Sequence, residues 1–330
     1  SFEYSSFGGV PDPLGRRADG VSFFMFDGSI QASEFEIGGT GGALGYTAVR
    51  ATSNENVLIS EGLKGAYLGI GFDELGNFGN SRTGKFGGFD DPNNDDVLTG
   101  TLLFPHSVVV RGPVDGPPPT APSTPFKDWD RVNNSKNFTS PSIVEPRYNS
   151  YRFIAGRIFD PASNGDYGSF PPNQVSVPQY LNEPERFEFD TDFQKLDCND
   201  EGFRKVFIDL KPNGIGYKLK VQMLVNAPSI GQSLINVFDG YPGADTEGYI
   251  DYVDQAPELL KVGFAAATGQ GTNFHNIRNV TVQVSDEDAL KKPTINLLNE
   301  TACEGETNSF VLPEIILENE DPNGFIRCIQ

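Results

Sequence analysis

The chain has 330 residues, with 45 Asp and Glu against 25 Lys and Arg, and a formal net charge of −20. So acidic a surface repels phosphate backbones, which excludes nucleic-acid binding by charge. The two histidines cannot furnish a His-rich zinc or copper site, which leaves oxygen ligation, and calcium first, for any metal. No run of about 18 apolar residues occurs, so no membrane-inserting helix is expected. Glycine and proline are frequent, yet together stay below the roughly 25–30% of low-complexity chains.

Apolar residues alternate or form short runs bounded by Gly, Asn, Asp and Pro, with almost no helical period. In chain order, strands are predicted at 21–26, 66–72, 107–110, 151–158, 205–210, 217–224, 233–238, 259–266 and 280–284. The only helix expected is a short one at 256–260. Many strands at short spacing predict an all-β, antiparallel two-sheet sandwich of jelly-roll type. Between the third and fourth of these strands, residues 113–150 are rich in proline, which removes amide donors and blocks ladders, so a surface loop is expected there. It carries Trp129, the one tryptophan, which either stacks on a sugar or pins the loop to the sandwich.

Composition shifts after residue 285. Residues 1–285 read as the sandwich, and 286–330 as an acidic linker with a partial β-module. Cys303 and Cys328 bracket that tail and are read as a disulfide pair, leaving Cys198 over. The absence of an initiator Met and of a signal peptide suggests a chain processed or cut from something longer. Abundant Gly, Asn, Asp and Phe with few Met suit a secreted β-protein. Four Asn-x-Ser/Thr sequons, at Asn133, Asn137, Asn279 and Asn299, are ordinary for so Asn-rich a chain.

Four segments carry the functional signal. Arg17-Ala18-Asp19-Gly20 leads into an apolar strand. Gly41-Gly42-Ala43-Leu44-Gly45 is a glycine loop. Phe72-Asp73-Glu74-Leu75-Gly76-Asn77-Phe78 closes another strand. Val262-Gly263-Phe264-Ala265-Ala266-Ala267-Thr268-Gly269 precedes a short loop. In this order and spacing they resemble the L-type (legume-type, concanavalin A-like) lectin domain, over roughly residues 1–285. Segments 107–112 (SVVVRG) and 151–156 (YRFIAG) look like bacterial members of that superfamily, found in large surface adhesins including those of gliding bacteria.

The resemblance implies a sugar site built from Asp19, Gly42, Asn77, Phe78 and the loop Gln270, Gly271 and Thr272. It also implies a cis peptide before Asp19. The residue types suit such a ligand. Asp19 is an acceptor-only carboxylate able to take two hydroxyls, and Asn77 both donates and accepts. Gly42 lets backbone approach a ligand, and Phe78 offers a ring for the apolar sugar face. Each also has a plainer reading, since Asp-Gly pairs and glycine loops serve turns.

For calcium, the resemblance implies Asp73, the Leu75 carbonyl and Asn77 as oxygen ligands. The sequence departs from the plant pattern twice. Gly71 stands where the family has a transition-metal Glu, and Arg82 where it has a second Asp, so no transition metal is expected. The run 90–96 (DDPNNDD) is either a calcium loop or a solvated turn. His106, near the family's metal histidine, is read as structural or solvent-facing.

The function expected is non-catalytic binding of a cell-surface glycan or polysaccharide by an extracellular adhesin, alongside further domains of the same longer chain. One alternative is a structural or protein-binding tip module with a degenerate pocket. Another is a glycoside hydrolase on the same sandwich, for which Glu188 and Asp190 share a strand face.

Overall fold

A computed structural model of the chain describes residues 1–51, 54–80, 85, 88–89, 103–113, 151–159, 189–227, 230–283 and 308–311. Among them, strands run in the order β1 (Phe2–Phe7), β2 (Gly20–Asp27), β3 (Val49–Ala51), β4 (Asn54–Ser60), β5 (Ala66–Asp73), β6 (Ser107–Arg111), β7 (Phe153–Ile158) and β8 (Asp190–Thr191). They continue as β9 (Arg204–Asn213), β10 (Gly216–Ala227), β11 (Gly231–Asn236), β12 (Ile250–Tyr252), β13 (Leu260–Ala267), β14 (Phe274–Arg278) and β15 (Asn308–Val311).

Two sheets pack as a sandwich. One has the order β11-β10-β9-β1-β14, with β12 on β10 and β8 on β1; the other has the order β15-β13-β2-β5-β6-β7. Pairing is antiparallel, apart from the short parallel contact of β1 with β8. The expected all-β two-sheet sandwich is therefore present. β3 and β4 form a separate hairpin.

The strand β2 shows how the sequence makes this core. Val21, Phe23 and Met25 point between the sheets, onto Phe2, Ile70, Phe72 and Val221. Phe2 and Phe264 meet edge to face there at 4.8 Å between ring centroids. The alternate residues Phe24 and Phe26 point the other way, into a second cluster with Tyr46, Phe78, Phe104, Val109 and Phe153. Both faces of this sheet are thus buried, which is why 21–26 and 66–72 read as continuous apolar runs and not as alternation. That second apolar layer is not anticipated from sequence.

Several expectations are corrected. Residues 256–260 form no helix; the stretch is irregular until β13 begins at Leu260. β14 ends at Arg278, and Asn279 turns the chain at φ 51°, so 280–283 form no strand, although the Thr281 amide still donates to the Ser1 carbonyl at 2.8 Å. β1, β3, β4, β8, β12 and β14 were not predicted. Asn308–Val311, assigned from sequence to a separate module, pairs with β13 as an edge strand of the second sheet. Cys198, left over in the sequence reading, is disulfide-bonded. The expected Cys303–Cys328 pair, Trp129 and the rest of 113–150 beyond Pro113 lie outside the described residues, up to Ser150.

Candidate functional site

Strand register gathers the site. At one end of the second sheet, Gly20 of β2 stands opposite Ala267 of β13 on one side and Asp73 of β5 on the other. The residues just beyond, namely Asp19, Glu74 and Thr268, therefore begin three adjacent loops. The Asp19 amide donates to the Ala267 carbonyl at 2.8 Å, and the Asp19 carbonyl accepts from the amides of Glu74 and Leu75 at 2.9 and 3.3 Å. The fourth loop, a 3-10 turn over Gly41–Ala43, is docked by Ser22, whose hydroxyl donates to the Leu44 carbonyl at 2.6 Å. The peptide between Ala18 and Asp19 is cis, as the resemblance implies.

Asp19 is 2% exposed, and its Oδ2 accepts no hydrogen bond. Burial pushes its carboxyl up to about 6, against the pull of the Lys85 ammonium. Glycines ring it. A Cβ on Gly269 would stand 3.1 Å from Asp19 Oδ2, and one on Gly41 3.8 Å away. Gly42 lies against Asn77, where a Cβ would come within 2.2 Å of the Asn77 Cβ. Asn77 is half-buried, and its Oδ1 accepts from Asn80 Nδ2 at 3.4 Å. The structure thus brings Asp19, Gly42 and Asn77 together, and adds Gly41 and Gly269. A buried anionic oxygen without a donor is a strong acceptor, because a hydroxyl arriving there removes an unmet desolvation cost.

The remaining residues of the expected site fall elsewhere. Gln270 is exposed beside the cluster. Gly271 is pressed on the backbone of Arg16, where a Cβ would meet the carbonyl oxygen at 2.2 Å. Thr272 is bound to Val10, whose amide donates to the Thr272 hydroxyl at 2.9 Å while the Thr272 amide donates back to the Val10 carbonyl at 2.9 Å. Both residues hold the loop down. Phe78 is a correction: it is fully buried in the second apolar layer, so its ring offers no face to a ligand. The ring lies over Gly71, where a Cβ would come within 2.3 Å of Phe78 Cδ1.

In the loop from Asp73 to Asn80, most of the polar atoms that could face an ion are hydrogen-bonded within the protein. Asp73 Oδ1 accepts from the Gly76 amide at 2.7 Å, and Oδ2 from the amides of Phe78 and Gly79 at 2.5 and 3.1 Å. Burial pushes this carboxyl up to about 7, against those amide bonds and with Asp19 adding to the rise. The carbonyls of Glu74 and Gly76 accept from the amides of His106 and Phe104, and that of Asn77 from the Asn80 amide. The Asp73 carboxylate and the carbonyls of Glu74, Gly76 and Asn77 are thus engaged within the protein, while the Leu75 carbonyl is not among these acceptors. Among the described residues no three His, Cys, Asp or Glu side chains gather as a metal cluster. The run 90–96 and Arg82 lie outside the described residues.

Beneath the loops lies a buried polar support. Asn273 Nδ2 donates to Glu74 Oε2 at 2.6 Å, which ties the loop after β13 to the loop after β5. His275 Nδ1 lies 2.9 Å from Ser6 Oγ and 3.6 Å from Glu74 Oε1. Burial lowers His275 to about 4, so the ring is neutral. His106 is structural: it is buried, and its Nδ1 accepts from the Phe189 amide at 3.0 Å. Glu188 lies outside the described residues, and Asp190 is placed only as the β8 partner of Ser6.

In comparisons with known proteins, no family model matches the chain, no curated protein matches it, and no solved structure matches it. Fold and site define a class on their own terms: an antiparallel β-sandwich with a loop-built, glycine-lined carboxylate at one end.

Proposed function

We propose that the chain binds carbohydrate without catalysis, through Asp19, Gly41, Gly42, Asn77 and Gly269, as part of a secreted or cell-surface adhesin. The observation that carries this reading is the buried Asp19 Oδ2, left without a hydrogen bond and lined by residues that lack side chains. Neighbouring sugar hydroxyls donate well to such a carboxylate, and the glycines let a ring approach. Asn77 supplies the second polar contact, and exposed Gln270 the rim. The curved jelly-roll form of the sandwich belongs to this reading, as does membership of the L-type lectin group.

The disulfide at Cys198 supports an oxidising, extracellular setting. A site with so few polar contacts binds each sugar weakly, since every contact replaces a bond to water. Repeated copies on a longer chain, with further domains, would supply avidity towards a glycan surface or polysaccharide. A glycan array with the wild type and Asp19→Asn tests the proposal. Glycan hits lost in the variant are the expected result. No hits from correctly folded wild type overturn it, and release of reducing sugar from a bound glycan points to a hydrolase instead.

A further inference from the structure

Arg111, the last residue of β6, is fully buried on the same face as Val109 and reaches under the loop that follows β5. Its Nε and Nη2 donate to the Phe78 carbonyl at 2.9 and 2.7 Å, and Nη2 also donates to the Asn80 carbonyl at 2.7 Å. Nη1 donates to the Tyr151 carbonyl at 2.8 Å. The guanidinium carbon sits 5.4 Å from the centroid of the Phe78 ring. The Asp73 carboxylate in turn gathers the amides of Gly76, Phe78 and Gly79.

A metal ion organises a loop by drawing carbonyl and carboxylate oxygens onto one positive centre. Here the positive centre is a guanidinium, and its planar fork holds the Phe78 carbonyl with two nitrogens while also reaching the Asn80 and Tyr151 carbonyls, three acceptors in fixed directions. The carboxylate faces amide hydrogens instead of a cation. Phe78 fills the space over Gly71, so the ring and the guanidinium above it occupy the volume with covalently attached groups. We infer that Asp73 and Arg111 set the loop from Asp73 to Asn80 in place of a metal ion, which holds Asn77 at the site independently of calcium. Arg111 is a positioning residue: it touches no ligand and acts through the backbone of Phe78 and Asn80. The inference deepens the proposed sugar site, on which it rests for its functional meaning, but its test needs no sugar.

The test is amide hydrogen exchange at Gly76, Phe78 and Gly79, on the whole chain in EDTA and again in millimolar calcium. Slow exchange in EDTA, unchanged by calcium, is expected. Fast exchange in EDTA that slows on adding calcium overturns the inference. At about pH 8, above the value to which burial raises Asp73, Asp73→Asn removes a charged acceptor, so exchange at these amides should quicken about tenfold to a hundredfold, the effect of losing one charge-assisted bond. Arg111→Lys keeps the charge and loses the fork; calcium should not restore protection in it, and restoration by calcium would count against the inference. A glycan array without hits would sink the sugar reading and leave these exchange results standing, so the two failures are distinguishable.

Discussion

Asp19 and Gly269 face each other across the end of the sandwich, close enough that a Cβ on the glycine would stand 3.1 Å from the carboxylate Oδ2. They are 250 residues apart in the chain, yet register alone brings them together, because β2 begins where β13 ends. The pairing keeps a carboxylate buried against a residue with no side chain, and it makes the site sensitive to a single methyl group.

Gly269→Ala follows from that distance. The added methyl must push on Asp19 Oδ2 or on an incoming hydroxyl, while the loop stays pinned by Thr272 and Asn273. Glycan affinity should fall about tenfold, the scale of one displaced polar contact, with a stability change below about 1 kcal/mol. Calorimetric titration beside thermal melting checks this; unchanged affinity in a folded variant would remove Gly269 from the site.

Asp19→Asn separates binding from stability. Burial raises the carboxyl to about 6 from its ordinary value of 3.8. For an acid this sign means that the folded state holds the proton more tightly than the unfolded state. Stability is then greatest below the unfolded value and declines as pH rises through about 6. The neutral amide avoids that decline. The variant should melt above wild type at pH values well over 6, and the gap should close on acidification towards 4. A variant that melts lower at both ends of that range would contradict a buried, unsatisfied carboxylate.

Gly71→Glu introduces a glutamate, the residue that the lectin resemblance implies at this position. The space is already taken by the Phe78 ring, within 2.3 Å of a Cβ at this position. Overpacking of this kind costs roughly 1–3 kcal/mol, so the midpoint of denaturant unfolding should fall. The variant should gain no manganese or zinc in elemental analysis, and stoichiometric metal uptake with restored stability would contradict the packing described.

His275 accounts for part of the acid sensitivity. Burial lowers it from 6.5 to about 4, partly opposed by the Ala267 carbonyl and reinforced by the Arg204 guanidinium. The unfolded chain therefore takes the proton first. The contribution is fully present above about 6.5 and is lost as pH falls towards 4, up to about 3 kcal/mol. His275→Gln should lose less stability than wild type between neutral pH and pH about 4, as denaturant titrations at each pH will show. Asp19 and Asp73 act in the opposite direction over the same range, so the variant comparison isolates the histidine.

Much of the sandwich was legible because strand period and turn chemistry are local. The runs around Phe23, Ile70, Val109, Val221 and Phe264 announce themselves through β-rich, apolar stretches between Gly, Asn and Asp. Short strands such as β8 and β12 escape because two or three residues carry no period, and β14 because its exposed Phe274 and half-buried neighbours do not alternate cleanly. The 256–260 helix fails for the opposite reason, since a few helix-compatible residues cannot hold a turn without packing.

The sequence by itself determined that this chain is an acidic β-sandwich, while the grouping of Asp19, Gly42 and Asn77 is what its lectin resemblance implies. Only the tertiary structure decided that Phe78 turns inward over Gly71, that Gly269 and not Thr272 faces the carboxylate, and that Arg111 holds the loop after β5. The physical reason is that a strand's period is written in its own residues, whereas the partner of a lone pair, and the space beside a glycine, are supplied by segments far away in the chain.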